Sequence, residues 1–460
     1  MFMMTGEQYR ATLADKRQVY FRGKRVEDVR MHPTFARQVD AAARCYDRLH
    51  AQGSAVVEAF FTPPRSVEAL RRRGEADIDI LTHISWTSTM TLLTAADRIE
   101  SRRPQGAAAM RDYVRMLQQK DLRIVECITD AKGDRSLSPA KQADPDAYLR
   151  VVERRRDGVV IRGAKLHIAL APIAHEMMVI PTKAMKPGEE DYSIACAVAV
   201  DAPGVKIINV GSEAPGADPR DHPFAADGFA SHGFVIFDDV FVPNERIFLD
   251  GETDCAAAFA HSLGLWIRAD GLFGMADQAD LLVGLAQLIA EANGLEKAAH
   301  VREKITDMIL YATLVRSTLE ASLAHCERLP DGTMLPNELY ANAGKYLGAA
   351  DYNLMVRHLH DIAGGSVQTA PSVLDVENPE IGPLILKYME GKAGVGGEQR
   401  LKIFQAIRDL TLSPTGTYRT IAHLLGGGGL YAQRIVTRGR YDLEHARQLA
   451  LKEAGLNKTA

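Results

Sequence analysis

Residues 130–182 read DAKGDRSLSPAKQADPDAYLRVVERRRDGVVIRGAKLHIALAPIAHEMMVIPT, and the change of character within this stretch decides the fold. Its first half is polar and punctuated by Gly133, Pro139 and Pro145, with too few apolar positions to pack as a helix or a strand. Loops of this kind, carried by a rigid scaffold, are where binding residues concentrate. The second half holds short β-branched runs at residues 151–152, 159–161 and 178–180, separated by Asp157-Gly158 and Gly163. That spacing predicts a sheet built from hairpins. A polar loop entering a small sheet between helical segments points to a cofactor site at a domain junction.

Upstream the pattern is helical. Thr5 caps a short amphipathic element carrying Tyr9, Leu13 and Val19, and a turn follows at Arg22-Gly23-Lys24. His32-Pro33-Thr34 opens a helix with Phe35, Val39, Ala42 and Tyr46 on one face, Ser66 caps a longer one beginning VEALRRRGEADIDILTHISW, and another covers residues 107–120. Downstream, residues 194–200 and 234–242 have the length and composition of buried strands, punctuated by Ala202-Pro203-Gly204 and the loop EAPGADPRDHP. After Asp250 the helical period returns over residues 277–292, with Gly294 as C-cap, and over 295–329, 337–362 and 399–412. The expected organisation is α+β: a helical N-terminal domain (1–123), a central antiparallel β domain (124–250) and a C-terminal helical bundle (251–460).

A chain of 460 residues with 46% hydrophobic and 25% charged residues has ordinary globular composition. A net charge of −4 gives no basic footprint for nucleic acid, and Arg71 to Arg73 and Arg154 to Arg156 read as solvated faces. Cys45, Cys127, Cys196, Cys255 and Cys326 form no CxxC pair, so neither a disulfide framework nor a local zinc site is expected, and no metal ligands are assigned. The N-terminus lacks the apolar core of a signal peptide, which predicts a soluble, cytoplasmic protein without membrane partners.

Six segments, TGEQYRATL, GKRVEDVRMHPTF, GDRSLSPAKQADPDAYLRVVE, DGVVIRGAKLH, VIFDDVFVPNERIF and DIAGGSVQTAPS, resemble in order a flavoenzyme family with two branches. One branch is the 4-hydroxyphenylacetate 3-monooxygenases, which use reduced FAD delivered by a reductase. The other is the 4-hydroxybutyryl-CoA dehydratase/vinylacetyl-CoA isomerases, which use FAD and an iron–sulfur cluster. The resemblance implies an acyl-CoA-dehydrogenase-like subunit in a homotetramer. It places Arg135, Gln142, Asp144 and Pro145 on the loop against the flavin, His167 and Ala169 within the strand (165–171) beneath its ring, and Gly364 and Gly365 at the diphosphate. Helix ends and glycines suit phosphates, and Arg135 offers a fork of donors. Alternatively, Arg135 bridges to Asp144, the two glycines form only a C-cap, and His167 and His175 are structural strand residues.

The branch is set by what is missing. Dehydratases hold their cluster with Cys-x-x-x-Cys in the N-terminal helical domain and with a His and a Cys at the start of the C-terminal one. The matching segments here, THISWTSTMTLLTAADRI and LWIRADGLFGMADQ, contain no cysteine, so that cluster is expected to be absent. The monooxygenases' phenolate-holding Arg and Tyr are replaced by the neutral run from Thr87 to Leu93, and their His by Glu126. The remaining candidates for chemistry are Arg268, as anchor for an anionic substrate or a thioester carbonyl, and Asp270 or Glu126 as base. The alternative is an Arg268–Asp270 surface ion pair with Trp266 in the core. The expected function is a reduced-FAD-utilising monooxygenase of the 4-hydroxyphenylacetate 3-hydroxylase type, partnered by a flavin reductase and acting on a small organic substrate. A cluster-free acyl-CoA isomerase or dehydrogenase-like enzyme is the alternative, followed by a flavin-binding scaffold without catalysis.

Overall fold

The computed structural model describes residues 3–53, 61–210, 218–225, 231–329 and 331–456. The chain divides into two compact units: residues 1–64, 72–266 and 365–419, and residues 65–71, 267–364 and 420–460.

In the first unit the opening helix, Gly6–Thr12, is shorter than expected. Thr5 and Gln8 form a reciprocal capping box at its start, but the helix ends before Val19. Val19 instead begins β1 (Val19–Phe21), which turns through Arg22 and Gly23, both at positive φ, into β2 (Lys24–Val26). The short apolar run VYF and a turn that tolerates positive φ make a hairpin here, correcting the helical reading. Pro33–Gln52 forms the expected helix, with His32 Nδ1 accepting from Thr34 N. The long helix expected after Ser66 is divided into Val67–Gly74 and Ile80–Ile99, because Asp79 accepts from the Leu81 and Thr82 amides and caps a new start. Pro104–Lys120 follows.

Two sheets share one core. The larger has the order β2-β1-β9-β10-β6-β4, with β5 also pairing β6; the smaller runs β11-β8-β7-β3. Their strands are β3 (Ile124–Cys127), β4 (Thr129–Asp130), β5 (Arg150–Arg155), β6 (Gly158–Ala169), β7 (Glu176–Val179), β8 (Ile194–Ala199), β9 (Val205–Val210), β10 (His232–Pro243) and β11 (Ile247–Asp250). The sheets are not purely antiparallel as expected: β1 runs parallel to β9, and β3 parallel to β7. Residues 213–217 of the EAPGADPRDHP loop lie outside the described residues. The arginine run of β5 is neutralised where it stands, Arg154 by Asp191 and Asp250 and Arg155 by Glu153.

Lys165 of β6 and Asp130 of β4 are each 2% exposed, with 2.8 Å between Nζ and Oδ1. Lys165 also donates to the carbonyls of Ile128 (3.0 Å) and Ile180 (2.9 Å), and Asp130 accepts from Leu149 N at 3.0 Å. A second buried polar knot fastens the N-terminus: His175 Nδ1 accepts from Arg123 N at 2.9 Å, and its Nε2 lies 2.8 Å from Thr12 Oγ1. Burial first, then the cations Arg17 and Arg123, push His175 down to about 3, so it folds neutral.

Helix Ala256–Ala292 is long and apolar enough to cross a membrane by length and composition, and half of its most apolar window is buried within the chain. The expected start at residue 277 is therefore too late by several turns, and Arg268 and Asp270 sit inside the helix. Gly294, at φ 70°, closes it as a Schellman cap: Leu295 N donates to Ala290 O and Gly294 N to Glu291 O. In the second unit Ala299–Ala324 packs on Glu338–Ala363, which Asn337 caps, and Leu430–Arg440 packs on the same helix. Further helices that the sequence reading missed include Gly382–Tyr388, Pro414–Leu425, Leu430–Arg440 and Leu443–Glu453.

Lys165→Met strands a buried Asp130 carboxylate, so the variant is expected to lose about 3–5 kcal/mol in denaturant unfolding. Adding Asp130→Leu restores most of that loss; a single variant as stable as the wild type contradicts the assignment. His175 supplies a pH test. Its folded value lies below the unfolded 6.5, so its contribution is complete above pH 6.5 and is lost as pH falls toward 3. Between those limits the wild type should lose up to about 1.4 kcal/mol per pH unit more than His175→Gln, and parallel curves refute this.

Candidate functional site

The loop between β4 and β5 organises itself. Gln142 accepts from Asp134 N (2.9 Å) and donates to Asp134 O (2.7 Å), tying the loop across its middle. Gly133 lies at φ 48°, with a Cβ there only 2.5 Å from Gln142 Oε1. Asp144 accepts from Asp146 N and caps the 3-10 turn Pro145–Ala147. Arg135 is exposed, and Asp144 spends a carboxylate oxygen on Asp146 N. Gln142, Asp144 and Pro145 thus shape the loop, and Arg135 carries its outward charge.

His167 is the extra residue of a β-bulge. Gly233 pairs with Ile168 and Phe234 with Leu166, which leaves His167 at φ 64°, out of alternation and exposed. Ala169 pairs with His232, whose ring lies 4.6 Å from that of Tyr418. Gly364 ends Glu338–Ala363 at φ 78°, and Gly365 has ordinary helical φ. A Cβ on either would meet nothing within 4 Å, so crowding inside the chain does not require glycine at Gly365.

Glu126 of β3 is half-buried and accepts from Thr87 Oγ1 at 2.7 Å. Thr87 lies on Ile80–Ile99, the helix that the resemblance aligns with the first ligand-bearing segment. Three of its hydroxyls are satisfied within the helix: Ser88, Thr89 and Thr91 donate to the carbonyls of Ile84, Trp86 and Thr87. Trp86 meets Trp266 edge-on at 5.2 Å, and Trp266 Nε1 donates to Thr94 Oγ1 at 2.9 Å. Two indoles therefore pack where the two aligned segments meet.

Arg268 and Asp270 are not an ion pair. Two residues apart on a helix, they point to different sides, and Arg268 is 9% exposed. Its Nε donates to Gly427 O and its Nη1 to Asn342 Oδ1, each at 2.8 Å. Burial pulls the guanidinium below its usual range, with Glu338 opposing. Trp266 is in the core, as the structural alternative had it. Lys345, Asn342 and the Gly426 to Gly429 turn were overlooked; the run of four glycines and the i, i+3 spacing of Asn342 and Lys345 were the available signals. Among the described residues no group of three His, Cys, Asp or Glu side chains could hold a metal ion.

Two family models match the chain in sequence. The 4-hydroxyphenylacetate 3-hydroxylase N-terminal model covers residues 5–249, and the corresponding C-terminal model covers 256–455. The chain is 31% identical over 366 residues to the 4-hydroxybutyryl-CoA dehydratase/vinylacetyl-CoA-Δ-isomerase of Clostridium aminobutyricum, covering 75% of this chain and 73% of that protein. It is 28% identical over 439 residues to the 4-hydroxyphenylacetate 3-monooxygenase oxygenase component of Thermus thermophilus, covering 90% and 89%. In fold it matches a 4-hydroxyphenylacetate 3-monooxygenase oxygenase component complexed with FAD, at TM-score 0.85 and 24% identity over 98% of this chain and 99% of that one. The α+β architecture of that oxygenase component is thus the fold this chain adopts. The chain belongs to the 4-hydroxyphenylacetate 3-hydroxylase family.

Proposed function

We propose that this chain is the oxygenase component of a two-component monooxygenase that takes FAD in reduced form from a flavin reductase and hydroxylates a small organic substrate. The family match over both halves of the chain carries this reading. The Trp86–Trp266 contact supports it against dehydration, because indoles rather than thiolates occupy the two segments that align with cluster ligands. When bound, reduced FAD supplies two electrons to dioxygen, of which one atom enters the substrate and the other leaves as water.

The chain's own residues fit such a group. The loop ending at Tyr148 offers Arg135 as an exposed cation, with Gln142 and Asp144 fixing its path and Pro145 opening the turn. His167, turned outward by the bulge, and Ala169 line the strand assigned to the ring. Gly364 and Gly365 leave open space for a diphosphate. Glu126, held by Thr87, is the base candidate, Asp270 the second, and Arg268 the substrate anchor. The exposed Ile309, Leu310 and Leu314 on Ala299–Ala324 support assembly with further copies, and a cytoplasmic homotetramer completes the proposal.

A cluster-free isomerase is the second reading, favoured by the 31% identity to the dehydratase/isomerase. One experiment separates the two. With NADH, a flavin reductase and FAD, the protein is given 4-hydroxyphenylacetate, 4-nitrophenol or 2,4,6-trichlorophenol under oxygen-18 gas. Label in a hydroxylated product supports the oxygenase; oxygen-independent isomerisation of vinylacetyl-CoA transfers the lead to the second reading. The glycines give a further test. Gly365→Ala should leave stability within about 0.5 kcal/mol, since its backbone is already helical and nothing crowds its Cβ. Its affinity for FAD should fall about tenfold if the diphosphate lies against that backbone, and an unchanged affinity removes Gly365 from the cofactor site.

A further inference from the structure

Five cations of the β region each meet an acid: Arg150 meets Asp146, Arg154 meets Asp191 and Asp250, Arg162 meets Asp239, Lys165 meets Asp130, and Lys206 meets Asp238. Lys132, Arg135 and Lys183 break that pattern. Among the described residues, none of these three has a carboxylate within ion-pair distance. The acids around them are committed elsewhere. Asp130 is bound to Lys165, Asp134 accepts from the Ser136 amide and hydroxyl, Asp144 accepts from Asp146 N, and Glu189 accepts from Lys186 N. Lys183 instead lies 5.5 Å from the centre of the Tyr148 ring, where the loop between β4 and β5 ends.

The fold fixes the roots of two of these cations. Nζ of Lys165 binds Asp130 Oδ1 at 2.8 Å and Ile180 O at 2.9 Å, and Lys132 and Lys183 follow those anchors by two and three residues. Lys132 N also donates to Ala147 O at 2.8 Å, which ties the start of the loop to its end. Lys132 stands at φ 73°, a conformation that glycine adopts freely and a side chain resists, so what lysine adds here is its charge. Burial first, then Arg135, lowers the Lys132 ammonium; Lys165 and Lys183 add to this and Asp130 opposes it, the response of a half-buried cation among other cations. Thr129 and Asp130 pair with Leu166 and Lys165, so the loop leaves the sheet beside the bulge that turns His167 outward. The positive cluster therefore borders the strand assigned to the flavin ring. An oxidised flavin ring is neutral, a two-electron-reduced one is an anion at neutral pH, and the diphosphate is the same in both. Cations at the diphosphate favour both forms alike, whereas cations at the ring favour only the reduced form, and selectivity is the difference between the two affinities.

We propose that Lys132 and Lys183, with Arg135, form an electropositive wall that makes this site selective for the reduced, anionic flavin over the oxidised one. The inference rests on the oxygenase reading and names the residues that let the chain take reduced flavin and release it once oxidised. Calorimetric titration of apoprotein with oxidised FAD and, anaerobically, with dithionite-reduced FAD tests it in the wild type, Lys132→Asn and Lys183→Gln, asparagine being the neutral residue that tolerates positive φ. The wild type is expected to bind reduced FAD more tightly than oxidised FAD. Each variant should weaken binding of reduced FAD about tenfold and that of oxidised FAD about twofold or less. The potential of the bound flavin then falls by about 30 mV if only the reduced form is affected, the two-electron equivalent of tenfold. Equal weakening of both forms places the cations at the diphosphate and overturns the proposal, and so do variants that bind both forms as the wild type does. Should Lys132→Asn lose its circular-dichroism signal, Lys183→Gln, a change at an exposed side chain, decides alone. A wild type that binds neither form removes the oxygenase reading and this proposal with it, whereas the two preceding outcomes leave that reading standing.

Discussion

The Lys165–Asp130 ion pair is the constraint on which the rest of the β region depends. Asp130 ends β4 and accepts from Leu149, so one carboxylate holds both ends of the polar loop between them. Lys165 fixes β6 in register opposite Asp130 and reaches the carbonyls of Ile128 and Ile180, which follow β3 and β7 of the other sheet. A buried pair of this kind is rarely a large net source of stability. Its use here is registry: a slip of β6 by one residue would turn Lys165 to the opposite face and leave two buried charges apart. The candidate cofactor loop can therefore be polar and irregular along its length because its ends do not move.

The helical side of the first unit solves a different problem, how to bury a helix rich in hydroxyls. Along Ile80–Ile99 Ser88, Thr89 and Thr91 donate to carbonyls one turn back, which costs no outside partner. Thr87 places its hydroxyl between Ile84 O and Glu126 Oε1, while Thr82 and Ser85 reach Asp79 and Ile124. The Thr87–Glu126 bond joins the helix to β3 and orients a carboxylate that the sequence could only nominate. The paired indoles of Trp86 and Trp266 close the same region with apolar volume. A cluster ligand set there would need thiolates that neither segment possesses.

The polar loop, the strands after it and the long C-terminal helices were legible because their signals are local: Pro and Gly punctuation, β-branched runs, and helix starts such as Thr5 and His32-Pro33. The hairpin at β1 and β2 was not, because Thr5 begins a helical pattern and nothing in Tyr9, Leu13 and Val19 marks where it stops. What stops it is tertiary, the parallel pairing of Val19 with Ile207 across nearly the whole β region. His167 was legible as a residue of the flavin-side strand, but its outward turn depends on a bulge set by Gly233, whose Cβ would stand 1.9 Å from Ile208 O. Arg268 was found by resemblance, yet its surroundings come from Asn342, Lys345 and Gly427, which are far away in sequence. Long-range partners leave no periodicity to read.

The contrast between Lys165 and the Arg268–Lys345 pair shows how one chain handles buried charge in two ways. At Lys165 an aspartate of the same fold neutralises the cation permanently, and the result is fixed geometry. At Arg268 and Lys345 the fold supplies carbonyls and one amide, enough to orient the donors but not to cancel their charge. A resident carboxylate would have been the cheaper solution, and Glu338 is close enough to act on Arg268, yet it is engaged by Arg440. Held by neutral acceptors alone, these two cations stay aimed but keep the desolvation cost that Asp130 offsets at Lys165.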